Sequence, residues 1–368
     1  MEPRPTTGST TGPTTGPTTG PTTQMAREIA EQPEAVRRTL DAVLPLRPRV
    51  AELYGGRRRV LLVARGSSDN AAVYARYLLE THAGVNAGLA APSVATHYRS
   101  RLDLSDALVV SVSQSGATEE IVATQRWAAD CGAATVAVTN VDGSPLATQA
   151  DLALVTQAGP ELAVPATKTY LTQLAALAVL VTALAPDPNA LDGHLARVPD
   201  EVAALLSEDP GLHDAVELVA AAETVVAAGR GLLLGTALEA ALKLEETTLR
   251  VARGYSYADL RHGPISVVES GVAAVLVAAA DGPLVPAMTE LAADLAERGA
   301  QTVGIGGDAA FAGACTRHLR GPDLPEALAP LAAAVPVQRL VEQVTARLGL
   351  DPDNPRGLAK VTQTDSHS

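Results

Sequence analysis

From Arg57 onward the chain alternates short, nearly unbroken apolar runs with longer segments whose apolar positions recur every three or four residues. "RRRVLLVARGSS" reads as a strand entering a turn, and "DNAAVYARYLLETHAG" as a helix closed by Gly84. "DALVVSVSQSG" repeats the strand and turn and leads into a helix ending at Gly132. "AATVAVTN" and "DLALVTQAG" are two more strands, followed by the long apolar helix "TKTYLTQLAALAVLVTALA". Strands that are apolar on both faces and separated by helices predict a parallel sheet covered on both sides. "PDPN" at 186–189 ends this unit, and a second follows a similar plan. There "AETVVAAGRG" is strand and turn, "TALEAALKLEETTLRVA" a helix, "GVAAVLVAAADG" and "AQTVGIGGD" strands, and 324–348 mostly helix. The expected organisation is a helical segment at 25–55, α/β units at 56–190 and 191–348, and a C-terminal segment at 349–368.

The two units look like copies with one telling difference. The strand at 106–112 runs into Ser113, Gln114, Ser115 and Gly116, then Thr118, whereas its counterpart runs into "AAADGP". A hydroxyl-rich turn at a helix start suits a phosphate, because the first N–H groups lack intrahelical partners and the helix dipole favours an anion. Simple N-capping by Ser and Thr is the competing reading. "ARGSSDN" at 64–70 is a second such turn, and it carries Ser67 and Ser68. One copy is therefore expected to hold a ligand while the other contributes something else.

Composition narrows the partners. Residues 6–23 form a Thr/Gly/Pro repeat with nothing to bury, so residues 1–24 are expected to be disordered, and Met25 is a possible true start. A net charge of −13 argues against nucleic acid or an anionic membrane. Two cysteines, Cys131 and Cys315, form no disulfide framework, and no segment reads as a signal peptide or membrane span. A cytoplasmic location follows as the expectation. The histidines His82, His97, His194, His213, His262, His318 and His367 include no close pair, so neither a metal nor another cofactor is expected. Asp351 and Asp353 read as turn residues.

Glu239, Lys243, Glu246 and Arg250 recur at helical spacing and are expected to share a face, either as a solvated ion-pair stripe or as proton-transfer groups. His262 precedes Gly263 and Pro264 on a turn that cannot be helical. A carboxylate, an amine and an imidazole together could move protons at neutral pH.

"SVSQSGAT", "ALEAALKLEETT…ADLRHGP" and "DNPRGLAKVT" resemble, in order, motifs of the sugar isomerase (SIS) domains of glutamine–fructose-6-phosphate aminotransferase. The resemblance runs from about Glu28 to Thr362 and implies two tandem SIS domains, each a flavodoxin-like α/β/α sandwich. It implies that Ser113, Gln114, Ser115 and Thr118 hold the phosphate of a 6-phosphosugar, with Ser67, Ser68, Val164 and Ala359 as further binding residues. Glu246 matches the acid–base that moves a proton between C1 and C2, with Lys243 beside it. His262 matches a ring-opening histidine supplied by the neighbouring subunit, which implies a homodimer. Lys360 matches a lysine able to form a Schiff base with the ketose. Two departures stand out: no glutaminase segment with its cysteine nucleophile is seen, and "VPATKTY" places Pro165 and Ala166 where the family has a substrate-contacting serine.

The function these residues imply first is deamination of glucosamine 6-phosphate to fructose 6-phosphate and ammonia. Dehydration of an N-acetylglucosamine 6-phosphate by the same C2 proton abstraction is an alternative, and a non-catalytic sugar-phosphate sensor is another. "GRGLLLG" at 229–235 is a weak near-match to a dinucleotide fingerprint, one residue too long and followed by polar "YSYADLRHG" rather than a strand.

Overall fold

The structure, a computed structural model, describes residues 23–207 and 209–360. The sequence-based expectation of a disordered Thr/Gly/Pro tail thus lies outside the described residues, apart from Thr23 and Gln24. Three α-helices open the described residues: α1 (Gln24–Ala30), α2 (Gln32–Val43) and α3 (Arg47–Tyr54). The first sheet comprises β1 (Arg59–Val63), β2 (Asn86–Leu89), β3 (Ala107–Val112), β4 (Ala134–Thr139) and β5 (Leu152–Val155). Its connections are α4 (Ser67–Leu78), α5 (Pro92–Thr96), α6 (Glu119–Asp130) and α7 (Pro145–Gln149), and α8 (Lys168–Leu184) follows β5. After α9 (Asp192–Leu205) and α10 (Leu212–Ala221) comes the second sheet: β6 (Thr224–Gly229), β7 (Ala252–Ser256), β8 (Val272–Ala278), β9 (Gln301–Gly306) and β10 (Arg317–Leu319). Its helices are α11 (Leu234–Thr248), α12 (Tyr257–Arg261), α13 (Val285–Glu297) and α14 (Ala309–Ala314), and α15 (Pro330–Arg347) closes the fold.

Both sheets are parallel throughout, and their strand orders are β2-β1-β3-β4-β5 and β10-β9-β8-β6-β7. Counted from its own first strand, each has the order 2-1-3-4-5, which is the flavodoxin-like plan. In such a sheet the chain leaves β1 toward one edge and β3 toward the other, which opens a crevice at their carboxyl ends. The interior strands β3, β4 and β8 are buried at every residue, as their apolar runs require. Of the four edge strands, β5 was expected from "DLALVTQAG", whereas β2, β7 and β10 are shorter or more polar and no apolar run predicts them. One expectation is corrected here: a strand, β7, does follow the helix after "GRGLLLG", in parallel register with β6.

Helices α4 and α8 on the first sheet pack against α11 and α15 on the second, so one apolar core runs through both halves. Every residue of α8 from Lys168 to Ala183 is buried. The halves approach closely where a Cβ on Gly235 of α11 would lie 2.5 Å from the carbonyl oxygen of Asn70 in α4, so only glycine fits. Across the same seam the buried Tyr74 hydroxyl donates to the Ala327 carbonyl at 2.8 Å.

Candidate active site

The crevice of the first sheet is an open cavity of about 410 Å³. Its walls include Ser67 and Ser68 after β1, Ser113, Gln114, Ser115 and Thr118 after β3, and Val164 and Ala166 before α8. Lys243 and Glu246 reach it from α11 of the second half, and Leu358, Ala359 and Lys360 from the C-terminal segment. Of the site residues read from the sequence, the fold brings together all except His262.

The turn after β3 is built to leave donors free. The Ser113 hydroxyl accepts from the Gly116 N–H at 3.3 Å, and the Ser115 hydroxyl accepts from the Ala117 N–H at 3.2 Å. Each hydroxyl shapes the turn as an acceptor and keeps its own proton for a ligand. Thr118 occupies the N-cap position of α6, yet its side chain makes no capping bond. Capping therefore does not account for these hydroxyls. Gly116 has φ +62°, and a Cβ there would lie 2.2 Å from Ser144 Oγ. The turn presses against the start of α7, so position 116 tolerates no side chain.

The Lys/Glu stripe is buried rather than solvated. Glu239 and Lys243 are each 1% exposed, and Lys243 is ion-paired with Glu246 and lies 3.7 Å from Glu239. Burial raises the Glu239 pKa above its ordinary value despite the Lys243 ammonium and a 2.8 Å bond from Asn70. Burial opposes the charge of Lys243, but the Glu239 and Glu246 carboxylates hold its pKa above the usual lysine value. The outcome is a fixed cation inside the cavity with one partly exposed carboxylate, Glu246, beside it. Arg250 does not belong to this face, contrary to the periodic reading. Helix α11 stops at Thr248, Leu249 turns left-handed at φ +56°, and Arg250 donates to the carbonyls of Ala220 and Ala222.

His262 is exposed at the end of α12 and is not among the cavity-lining residues of its own chain. Exposed Leu249, Val251 and Val267 accompany it on neighbouring stretches of chain.

Three residues of the site escape a local reading of the sequence. Arg65 lines the cavity and grips Glu120 of α6 with two bonds of 3.0 Å. Glu161, fully buried, binds Lys360. Asp353 is more than a turn residue: its carboxylate accepts the N–H groups of Gln24 and Met25 at 2.8 and 2.7 Å, and its carbonyl accepts from Val164 at 2.9 Å. Arg65 had a sequence signal in its place beside the Ser67–Ser68 turn, and Asp353 in its place at the head of "DNPRGLAKVT"; Glu161 had none.

The equivalent crevice of the second sheet is filled. A space of about 10 Å³ remains among Arg230, Asp281, Leu284 and Glu326. At the "GRGLLLG" turn Leu284 packs against Gly231, where a Cβ would lie 2.5 Å from Leu284 Cδ1.

Residues 53–183 match the family model described as "SIS domain". A putative phosphosugar isomerase from Silicibacter pomeroyi DSS-3, in its crystal structure, is 36% identical with a TM-score of 0.80, over 90% of this chain and 100% of that one. The chain belongs to the SIS family. The C-terminal domain of glucosamine-fructose-6-phosphate aminotransferase from Francisella tularensis superimposes with a TM-score of 0.84 at 28% identity, covering 92% of this chain and 100% of that domain. Glutamine–fructose-6-phosphate aminotransferase (isomerizing) of Symbiobacterium thermophilum is 36% identical over 91% of this chain and 58% of its own length. The chain spans 56–58% of the length of the curated relatives it matches first. Each of these relatives carries the name of a phosphosugar enzyme. Among the described residues, no helix is long and apolar enough to cross a membrane.

Proposed function

We propose that this SIS protein is an aldosamine 6-phosphate isomerase that releases ammonia, converting glucosamine 6-phosphate to fructose 6-phosphate. The observation that carries this reading is the pairing of Glu246 with buried Lys243 in the same cavity as the free hydroxyls of 113–118. The turn and the N-terminus of α6 would grip the phosphate, placing C1 and C2 of the opened sugar at the carboxylate. Glu246 takes the proton from C2 and an enolamine forms; the proton returns at C1 and leaves a ketose imine. Water then hydrolyses the imine to the ketose and ammonia. Lys243 stabilises the oxyanion that develops as the C2 proton leaves.

His262 would open the sugar ring from a second copy of the chain, since it is exposed and stands outside the cavity of its own chain. A sensor has no need of the Lys243–Glu246 pair or of Lys360, so catalysis is the better reading. The dehydratase reading keeps one observation in its favour: Ala166 lines the cavity without a hydroxyl and leaves room for an acyl group.

Incubation with glucosamine 6-phosphate in deuterated water tests the proposal. Ammonia release with deuterium at C1 or C2 is expected, and Glu246→Gln should slow both by roughly 100-fold or more. Elimination of water from the N-acetyl sugar without ammonia release from the amine would replace this reading with the dehydratase. Exchange at the wild-type rate in Glu246→Gln would remove Glu246 from the chemistry. Mixed dimers of Glu246→Gln and His262→Ala chains should regain part of the activity, and a verified heterodimer without any would place both residues in one chain's site.

A further inference from the structure

The C-terminal segment crosses the cavity as an arch with two feet. At the near foot Pro352 and Pro355 are buried, and Asp353 is bonded to α1 and to Val164. Arg356, Gly357, Leu358 and Ala359 are then exposed to solvent, while Leu358 and Ala359 also line the cavity. At the far foot the Lys360 amine donates to Glu161 Oε2 at 2.6 Å and to the Ala163 carbonyl at 2.7 Å.

Glu161 is unusually well held. Its carboxylate also accepts from the N–H groups of Thr167 and Thr169 at 2.9 and 3.0 Å, and from the Thr169 hydroxyl at 2.6 Å. It thereby caps α8, whose N-cap residue Thr167 makes no side-chain capping bond of its own and instead donates its hydroxyl to Glu161 at 3.5 Å. Burial alone would raise its pKa; the Lys360 ammonium and these bonds hold it below the ordinary carboxylate value.

We infer that Glu161 is a positioning residue that pins two walls of the cavity at once, the 163–166 loop and the C-terminal arch, through a Glu161–Lys360 latch. While latched, the Lys360 ammonium has no lone pair and cannot attack a carbonyl. A Schiff base at Lys360 then requires the latch to open, and the closed arch uses the same amine as an anchor. The catalytic part of this inference rests on the proposed function; the latch itself does not.

Limited trypsin digestion of the full native chain tests it, with release of peptides beginning at Gly357 followed by mass spectrometry. Cleavage after Arg356 tracks the opened population when reclosing is fast. Glu161→Gln keeps an acceptor for the α8 N-terminus but removes the charge, and Lys360→Met removes the other partner from an exposed segment outside the core. Both should speed this cleavage by about 10-fold, the scale of one charge-assisted hydrogen bond. An unchanged rate in either variant would overturn the latch. In turnover of an aldosamine 6-phosphate, Glu161→Gln should lower kcat, and adding it to Lys360→Met should cause no further loss; additive losses would overturn the positioning role. If the wild-type chain turns over no such sugar yet the digestion behaves as expected, the functional reading fails and the latch stands.

Discussion

Replacing Gly116 by alanine probes the turn that would hold the phosphate. Two costs are visible. The φ of +62° is open to glycine but costs an L-residue about 1–2 kcal/mol. The new Cβ would also lie 2.2 Å from Ser144 Oγ, 2.6 Å from Ser144 Cβ and 2.8 Å from Thr139 Oγ1, an overpacking worth about 1–3 kcal/mol. Together they give about 2–5 kcal/mol of destabilisation, readable as a fall in the denaturant midpoint at constant slope. The steric part can be isolated. Ser144→Gly removes both Ser144 contacts and costs only about 0.3 kcal/mol as a lost cap on α7, because glycine is a tolerated N-cap. The double variant should therefore recover at least about 1 kcal/mol relative to the sum of the single changes. Calorimetric titration with a 6-phosphosugar should show weaker binding by Gly116→Ala, partly restored in the double variant. A loss below about 1 kcal/mol, or no recovery with Ser144→Gly, would refute the packing argument.

Three further outcomes are expected. Ser113→Ala with Ser115→Ala should raise KM for a 6-phosphosugar about tenfold or more while the melting temperature moves only a few degrees, checked by kinetics beside calorimetry. Tyr74→Phe should cost about 1–3 kcal/mol by leaving the buried Ala327 carbonyl unpaired, measured by urea denaturation. Glu161 has a depressed folded-state pKa, so its stabilising contribution is full above its unfolded value of 4.5 and is lost as pH falls through the folded value. The stability difference between wild type and Glu161→Gln should accordingly hold steady at neutral pH and shrink in acid; a difference that grows in acid would contradict the assigned direction.

Much of this molecule is legible in its amino-acid sequence. The interior strands announce themselves because burial on both faces demands unbroken apolar runs such as "ALVVSV". Edge strands such as "ARGYS" (β7) face solvent on one side and leave no such signature. Local motifs also pointed to residues that the fold gathers in one cavity: hydroxyls at 113–118 and a Lys/Glu spacing on one helix. Burial decided what spacing could not, since the same stripe could have been a solvated face. Arg250 shows the limit of periodicity, because a single left-handed residue at Leu249 carried it off the helix. Glu161 and Asp353 act on residues far away in sequence, Lys360 and Gln24, and no local pattern encodes such pairings.

The duplicated sheet has a mechanical consequence. The half built on β1–β5 owns the crevice, while the half built on β6–β10 has its own crevice plugged and lends α11 to its neighbour. In the proposed function the phosphate grip and the proton transfer thus come from different halves, and their alignment is a property of the seam rather than of either sheet. A slip of about 1 Å along α4 and α11 would leave both sheets intact and still cost roughly 100-fold in rate. The tight contact of Gly235 with Asn70 and the Tyr74–Ala327 bond would therefore serve as alignment pins, and substitutions there should show kinetic defects in addition to their cost in stability.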